Sequence, residues 1–290
     1  MFFDEEMILD LRLNIMDKYV DKFVITESTY MHSGKPKKLN FDINKFLKFK
    51  DKIIYIVVDN PPPDILEIDE SDDQNTKETK KTFNAAKREL YQIGKTRDGL
   101  SKAASDDLII VSDVDEIPNL DKLNFNSINN KLIFFKQKMF YYKLNLQNKV
   151  MPWYGSKACR KKFFKSPQWL RSIKNKKYPK WRLDTFFSDL KYTDIYFVNN
   201  GGWHFTNVRE PEDLEKKLLN FLHHTDYEQS GLKLEDLKRL ISEKRVMYKH
   251  TLDKKDSKWG DGEKLQKIHM NEMPKYISEN IEKYRKWLDL

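Results

Sequence analysis

Residues 106–119, DDLIIVSDVDEIPN, constrain this chain more than any other stretch. Leu108, Ile109, Ile110 and Val111 form a short apolar run, rich in β-branched side chains and bounded by charge, which predicts a strand buried on both faces. Asp113, Asp115 and Glu116 fall just past its carboxyl end, and Pro118, with no backbone donor for a ladder, is expected to stop it. In open α/β sheets ligands bind outside that edge. Three carboxylates within four residues repel one another, so the cluster demands solvation or a cation, and hard oxygen ligands suit Mg²⁺ or Mn²⁺. An acidic turn after a strand is the plainer reading, because D-x-D is short and common.

The chain around this stretch supplies the rest of an α/β pattern. Residues 2–16 carry Met7, Ile8, Leu11, Leu13, Ile15 and Met16 among acids, a helical spacing. Phe23, Val24 and Ile25 predict a short strand closed by Glu27 and Ser28, and residues 53–58 a second, stopped by Asp59, Asn60 and three prolines. Residues 64–81 are acidic and then polar, a loop or lid; residues 83–104 return to helix formers. Strand, strand, helix, strand is the order of a doubly wound sheet with right-handed crossovers.

Further on, residues 132–135, 139–144 and 195–198 read as strands. The last runs into Asn199, Asn200, Gly201, Gly202, Trp203 and His204, where paired glycines mean that the backbone passes close to something. Residues 211–222, 234–248 and 274–290 have amphipathic helical spacing. The expected fold is α/β, a mixed central sheet flanked by helices, with a helical C-terminal region.

Composition narrows the function classes. The 290 residues, 39% hydrophobic and 13% aromatic, can bury a large core and exclude a disordered chain. No run approaches the roughly 18 apolar residues of a membrane span. The acidic start MFFDEEMILD is unlike a signal peptide, so a soluble protein, cytoplasmic by default, is expected. Cys159 is the single cysteine, which excludes an internal disulfide and a Cys-based zinc site; a structural thiol is expected rather than a nucleophile. Fifty-four Lys and Arg against 45 Asp and Glu give +9, compatible with a polyanionic partner or a phosphorylated substrate. The densest basic run, from Lys157 to Lys180, has Phe163, Phe164 and Trp169 interleaved, a pattern that nucleic-acid binders share. A solvated loop face is expected there instead, with no nucleic-acid partner.

An acidic cluster at one strand end, with neighbouring strands that end in hydrogen-bonding residues, suits a nucleoside diphosphate. A divalent ion on Asp113 and Asp115 would bridge its phosphates while strand tips read base and ribose. Four blocks stand in order: FFDEEMILDLRLNIMDKYVDKFVITES from Phe2, RDGL from Arg97, DDLIIVSDVDEIPN, and GGWHF from Gly201 followed by PEDLEKKL. Together they resemble glycosyltransferase family 17, the β-1,4-mannosyl-glycoprotein β-1,4-N-acetylglucosaminyltransferase family.

The resemblance implies a GT-A type fold, a divalent metal (Mn²⁺ or Mg²⁺), a UDP-sugar donor, a glycan or glycoprotein acceptor, and inversion at the anomeric carbon. It implies one domain with a nucleotide-sugar-binding half (1–130), an acceptor-side half (131–210) and a helical C-terminal region (211–290). It carries the metal role onto Asp113 and Asp115, and donor contacts onto Glu27, Ser28, Arg97, Asp98 and Asp113. His204 reads as a further metal ligand, a phosphate contact or a hydrogen-bonded structural histidine, and Trp203 as a flat face for a sugar. For the general base the first choice is Asp226 and the second Asp184, each beside its reading as an ordinary surface acid. Residues 147–192 depart from the family pattern, and acceptor recognition is expected there. Two rivals stay open. One is a non-catalytic nucleotide-sugar or nucleic-acid-binding protein; the other is a Mg²⁺-dependent phosphotransferase, in which D-x-D would begin early in the chain rather than after two strands.

Overall fold

The computed structural model describes residues 1–121, 123–179, 181–222, 224–249 and 259–290; Lys180, the last residue of the basic run, lies outside them. Helix α1 (Glu6–Met16) buries Ile8, Leu9, Leu11, Leu13 and Met16. It starts later than residue 2 because Phe2 donates its N–H to Thr26 O at 2.8 Å, and Glu5 takes the N–H of Phe3 at 2.9 Å. Strands β1 (Phe23–Ser28) and β2 (Ile53–Val58) pair in parallel, Phe23 opposite Ile53 through Ser28 opposite Val58.

Helix α2 (Gln74–Lys95) follows, capped by Asp73, whose side chain accepts the Thr76 N–H at 2.7 Å, a contact worth about 1 kcal/mol. Residues 74–81, expected in a loop or lid, are its first turns. None of them is buried, so no apolar stripe marks the helix in sequence. At its other end α2 gives way to a 3₁₀ turn, Thr96–Leu100.

The remaining strands are β3 (Leu108–Val111), β4 (Glu116–Pro118), β5 (Leu132–Phe135), β6 (Gln137–Tyr141), β7 (Leu146–Trp153), β8 (Lys157–Arg160), β9 (Ile195–Val198), β10 (Gly202–Thr206) and β11 (Gln266–Lys267). The helices are α3 (Pro167–Ser172), α4 (Pro211–Leu218), α5 (His224–Ser230), α6 (Leu234–Ser242), α7 (Lys275–Glu279) and α8 (Ile281–Tyr284). The fold is α/β with parallel and antiparallel pairs. Among the described residues the strands form three ladders rather than one doubly wound sheet: β1-β2, β3-β8-β5-β9 and β11-β7-β6-β10-β4.

Two expectations around the acidic stretch are corrected. β3 is an edge strand that pairs antiparallel with β8; Ile109 is buried, but Leu108, Ile110 and Val111 are only half-buried. Glu116, Ile117 and Pro118 do not stop the chain but form β4, at the edge of its sheet, where a proline needs no partner on its open side.

The C-terminal helices are also shorter than their patterns. Lys244 turns the chain at φ 56° after α6, and Asn280, at φ −130° and ψ 40°, breaks residues 274–290 into α7 and α8. Ile277 and Tyr284 return to α1, joining Leu11, Leu13, Phe135, Phe140 and Phe205 in the main core. Each such side chain contributes about 1.5–3 kcal/mol by leaving water. A second cluster sets Leu214, Leu237 and Leu240 against β6 and β7. A third holds Leu132, Phe134, Leu170 and Cys159, whose thiol burial pushes up to about 12, as expected of a structural cysteine. Among the described residues no helix is long and apolar enough to cross a membrane.

Candidate functional site

The glycines of GGWHF approach the acidic loop itself. β10 pairs antiparallel with β4, Gly202 opposite Pro118, Trp203 opposite Ile117 and His204 opposite Glu116. Gly202 has φ +120°, and a Cβ there would meet the backbone of Ile117 and, at 2.6 Å, Asn119 N. Two stretches some ninety positions apart are thus laid edge to edge. Successive strand residues face opposite ways, so His204 and Trp203 part company. His204 lines a cavity, whereas Trp203 is buried in the main core, its Nε1–H donating to Glu272 O at 3.4 Å. Trp203 therefore offers no face to a sugar.

Arg12, from α1, fastens the loop between β3 and β4. Its guanidinium donates to Asp113 O at 3.0 Å, to Ser112 Oγ at 2.6 Å and to Glu116 O. Burial pushes Arg12 down to about 10, against the pull of Glu116, Asp113 and Asp115. With the loop fixed by its carbonyls, its side chains are left for the cavity. Arg171, from α3, donates to Asp113 Oδ1. Burial pushes the Asp113 carboxyl up, but Arg171 and the positive amino group of Met1 together outweigh it and the net shift is downward. Asp115 behaves likewise: burial raises it, while His204, with Nε2 3.6 Å from Oδ1, brings it well below the usual carboxylate range. His204 answers in kind, since burial lowers its pKa but Asp115 raises it above the ordinary 6.5.

The cavity between these groups is about 400 Å³, within the range of small-molecule sites, and Ser28, His32, Glu89 and Trp153 also line it. Trp153 lies against the His204 ring and donates from Nε1 to Glu116 Oε1 at 2.6 Å. The other oxygen of Glu116 accepts the Asp113 N–H at 2.9 Å. Burial, then the neighbouring Asp113 charge, pushes Glu116 above its ordinary range. Gly155 is required beside them, because a Cβ there would collide with the Glu116 carboxylate.

The other expected residues fall apart. Ser28 lines the cavity, though its hydroxyl donates to Tyr30 O at 2.5 Å. Glu27 is wholly buried beneath it, its carboxylate committed to Lys37, to the N–H groups of Asn40 (2.7 Å) and Phe41 (3.0 Å), and to Tyr55 OH (2.9 Å). Arg97 and Asp98 are exposed in the 3₁₀ turn after α2, away from the cavity lining. Asp226 is exposed on α5, and neither it nor Asp184 lines the cavity. Asp184 is paired with Arg182 at 2.6 Å and Lys191 at 2.7 Å, and those hydrogen bonds hold it at about 2, too low for a proton acceptor. Among the described residues no set of three His, Cys, Asp or Glu side chains is placed to hold a metal by itself. The expected trio of Asp113, Asp115 and His204 shares one cavity, with Asp113 turned to Arg171.

Several lining residues had no signal in sequence. Arg171 is one cation in a basic run, and nothing in the local sequence singles out Trp153 or His32. His32 is buried, burial pushes it down to about 4, and its Nδ1 has no partner among the described residues. Gln92 donates to Thr26 O at 3.2 Å, and its side-chain oxygen accepts from Ser28 Oγ at 3.4 Å.

The chain has relatives among known proteins. Over 122 residues, 41% of the chain, it is 30% identical to the β-1,4-mannosyl-glycoprotein 4-β-N-acetylglucosaminyltransferases of Homo sapiens and Rattus norvegicus. That match covers 21% and 20% of the relatives, so the chain spans about a fifth of their length. No solved structure matches it. The family model for glycosyltransferase family 17 matches residues 1–289, essentially the whole chain, and the chain belongs to that family.

Proposed function

We propose that this cavity takes the diphosphate end of a UDP-sugar within a GT-A type fold, and that the protein transfers N-acetylglucosamine to a hydroxyl of a glycan or glycoprotein acceptor. The observation that carries the reading is the meeting of Asp113 and Asp115, from the loop between β3 and β4, with His204, from the middle of β10, in one cavity beside Arg171. A hard cation uses one or two protein carboxylates and completes its shell with water and substrate phosphates, so no ready-made cage of three side chains is needed. Asp115 and His204, whose buried Nδ1 has no partner among the described residues, are the groups that would hold Mn²⁺ or Mg²⁺. Bound there, the ion would neutralise charge on the leaving diphosphate.

The chain's own residues do the rest. Arg171 fixes Asp113 and adds a permanent positive charge to the cavity wall. Trp153 closes one side with an apolar face. The cavity wall also carries Glu89, on α2 and within the field of Arg171, and we choose it as the group that takes the acceptor hydroxyl's proton. In a single displacement the acceptor oxygen bonds the anomeric carbon as the bond to UDP breaks, and the sugar is inverted.

Calorimetric titration with UDP and a panel of nucleotide sugars, with metal or with chelator, tests this. UDP binding should require the metal, and Asp115→Ala should abolish it. Equal UDP affinity in chelator overturns the metal role; turnover with only a GDP- or CMP-sugar overturns the donor.

A further inference from the structure

Residues 181–190 form a loop whose tip is apolar and whose base is charged. Trp181 is 80% exposed, Leu183 72%, Phe186 74% and Phe187 91%. Four large apolar side chains in seven residues, all in water, mark an interaction surface rather than scattered surface hydrophobes. The loop is nevertheless built. Lys174 N–H donates to Leu190 O at 2.8 Å, Thr185 N–H to Arg182 O at 3.2 Å and Phe186 N–H to Leu183 O at 3.0 Å. Asp184 ties Arg182 to Lys191, and Trp169 Nε1–H donates to Asp189 O at 3.0 Å. Polar contacts order this loop while its apolar side chains contribute no core.

We infer that this loop docks on the surface of a bilayer containing anionic lipid, with Trp181, Leu183, Phe186 and Phe187 entering the interface. Charge complementarity selects the occupant. Between positions 174 and 191 the sequence places Lys174, Lys176, Lys177, Lys180, Arg182 and Lys191 against only Asp184 and Asp189. Cations that flank apolar and aromatic side chains are the composition of an interfacial anchor, in which apolar burial and attraction to anionic headgroups act together. A second copy of the chain, at +9, would set like charges against each other across the same patch. The loop also leans on α3 through Trp169, and α3 carries Arg171 into the cavity, so docking holds the cavity one helix from the bilayer. This inference is independent of the donor proposed above.

Flotation with phosphatidylcholine vesicles and with mixed phosphatidylcholine–phosphatidylglycerol vesicles, at low and raised salt, is the test. The full chain should float with the mixed vesicles only, and less as salt rises. The double variant Phe186→Ser/Phe187→Ser should lose at least about tenfold in binding with an unchanged melting temperature, because these side chains bury so little in the fold. Addition of mixed vesicles should shift tryptophan fluorescence to the blue, and Trp181→Phe should remove that shift. Failure of the full chain to bind mixed vesicles overturns the inference, as does undiminished binding by the double variant. Self-association that the double variant abolishes, without vesicle binding, assigns the patch to a second copy instead.

Discussion

The indole of Trp153 lies on the imidazole of His204, ring centroids 4.8 Å apart and planes 29° from parallel. The contact joins the end of β7 to the middle of β10 and fixes the ring that faces Asp115. A single aromatic thus shapes the cavity wall, caps its histidine and, through Nε1, satisfies the buried Glu116 carboxyl.

Trp153→Phe keeps a ring on His204 but leaves Glu116 Oε1 without its indole donor, whereas Trp153→Ala removes both ring and donor. A buried carboxyl oxygen left unsatisfied costs about 1–3 kcal/mol. The phenylalanine variant should therefore melt lower with UDP affinity near wild type, and the alanine variant should also lose about tenfold in UDP affinity, 1.4 kcal/mol. Thermal melts and calorimetry on the same preparations check it; equal UDP affinity in both variants would remove Trp153 from the site.

The pair of His204 and Asp115 predicts a window of stability. The folded pKa of His204 is raised above its ordinary 6.5, so its contribution is full below that pH and is lost as pH rises through the folded pKa. Asp115 is depressed from 3.8, so its contribution is present above that pH and is lost as pH falls. The melting temperature of the wild type should exceed that of His204→Gln most between about pH 4 and 6.5. The gap should narrow on the alkaline side; a gap independent of pH would mean that the imidazole is neutral throughout.

How much of this was legible follows from range. β1, β2, β3, β5 and β9 were readable because runs such as IIYIVV and LIFF are short, apolar and bounded by charge. The meeting of the acidic loop with GGWHF was hinted at by paired glycines, which allow a close backbone approach as well as a turn. What they approached was not, because strand pairing across ninety residues leaves no local trace. Trp203 reads in sequence as a face for a sugar for the same reason: two neighbours on one strand, Trp203 and His204, face opposite ways, and sequence alone does not say which face is the cavity. The first turns of α2 were invisible because residues 74–81 hold no apolar side chain and bury none.

Glu27 shows how a polar residue at a strand end can belong to the fold. With Lys37, two backbone N–H groups and Tyr55 around its buried carboxylate, breaking the pair should cost about 3–5 kcal/mol. Glu27→Gln should lower the melting temperature by on the order of 10 °C while the folded fraction binds UDP as wild type does. Lost UDP binding at an unchanged melting temperature would put Glu27 in the donor site instead.

Glu89 carries the most specific prediction. It stands on α2 in the cavity wall within reach of the Arg171 field, whereas Asp226 and Asp184 lie outside the lining. A general base typically contributes a factor of about 10²–10⁴ to turnover, and its amide isostere keeps shape while removing the proton acceptor. Glu89→Gln should thus lower kcat by about that factor with the UDP dissociation constant within about twofold of wild type. Asp226→Asn and Asp184→Asn should turn over normally, because neither carboxylate meets the cavity. A silent Glu89→Gln beside an inactive Asp226→Asn would move the base to α5 and require that helix to close over the donor before transfer.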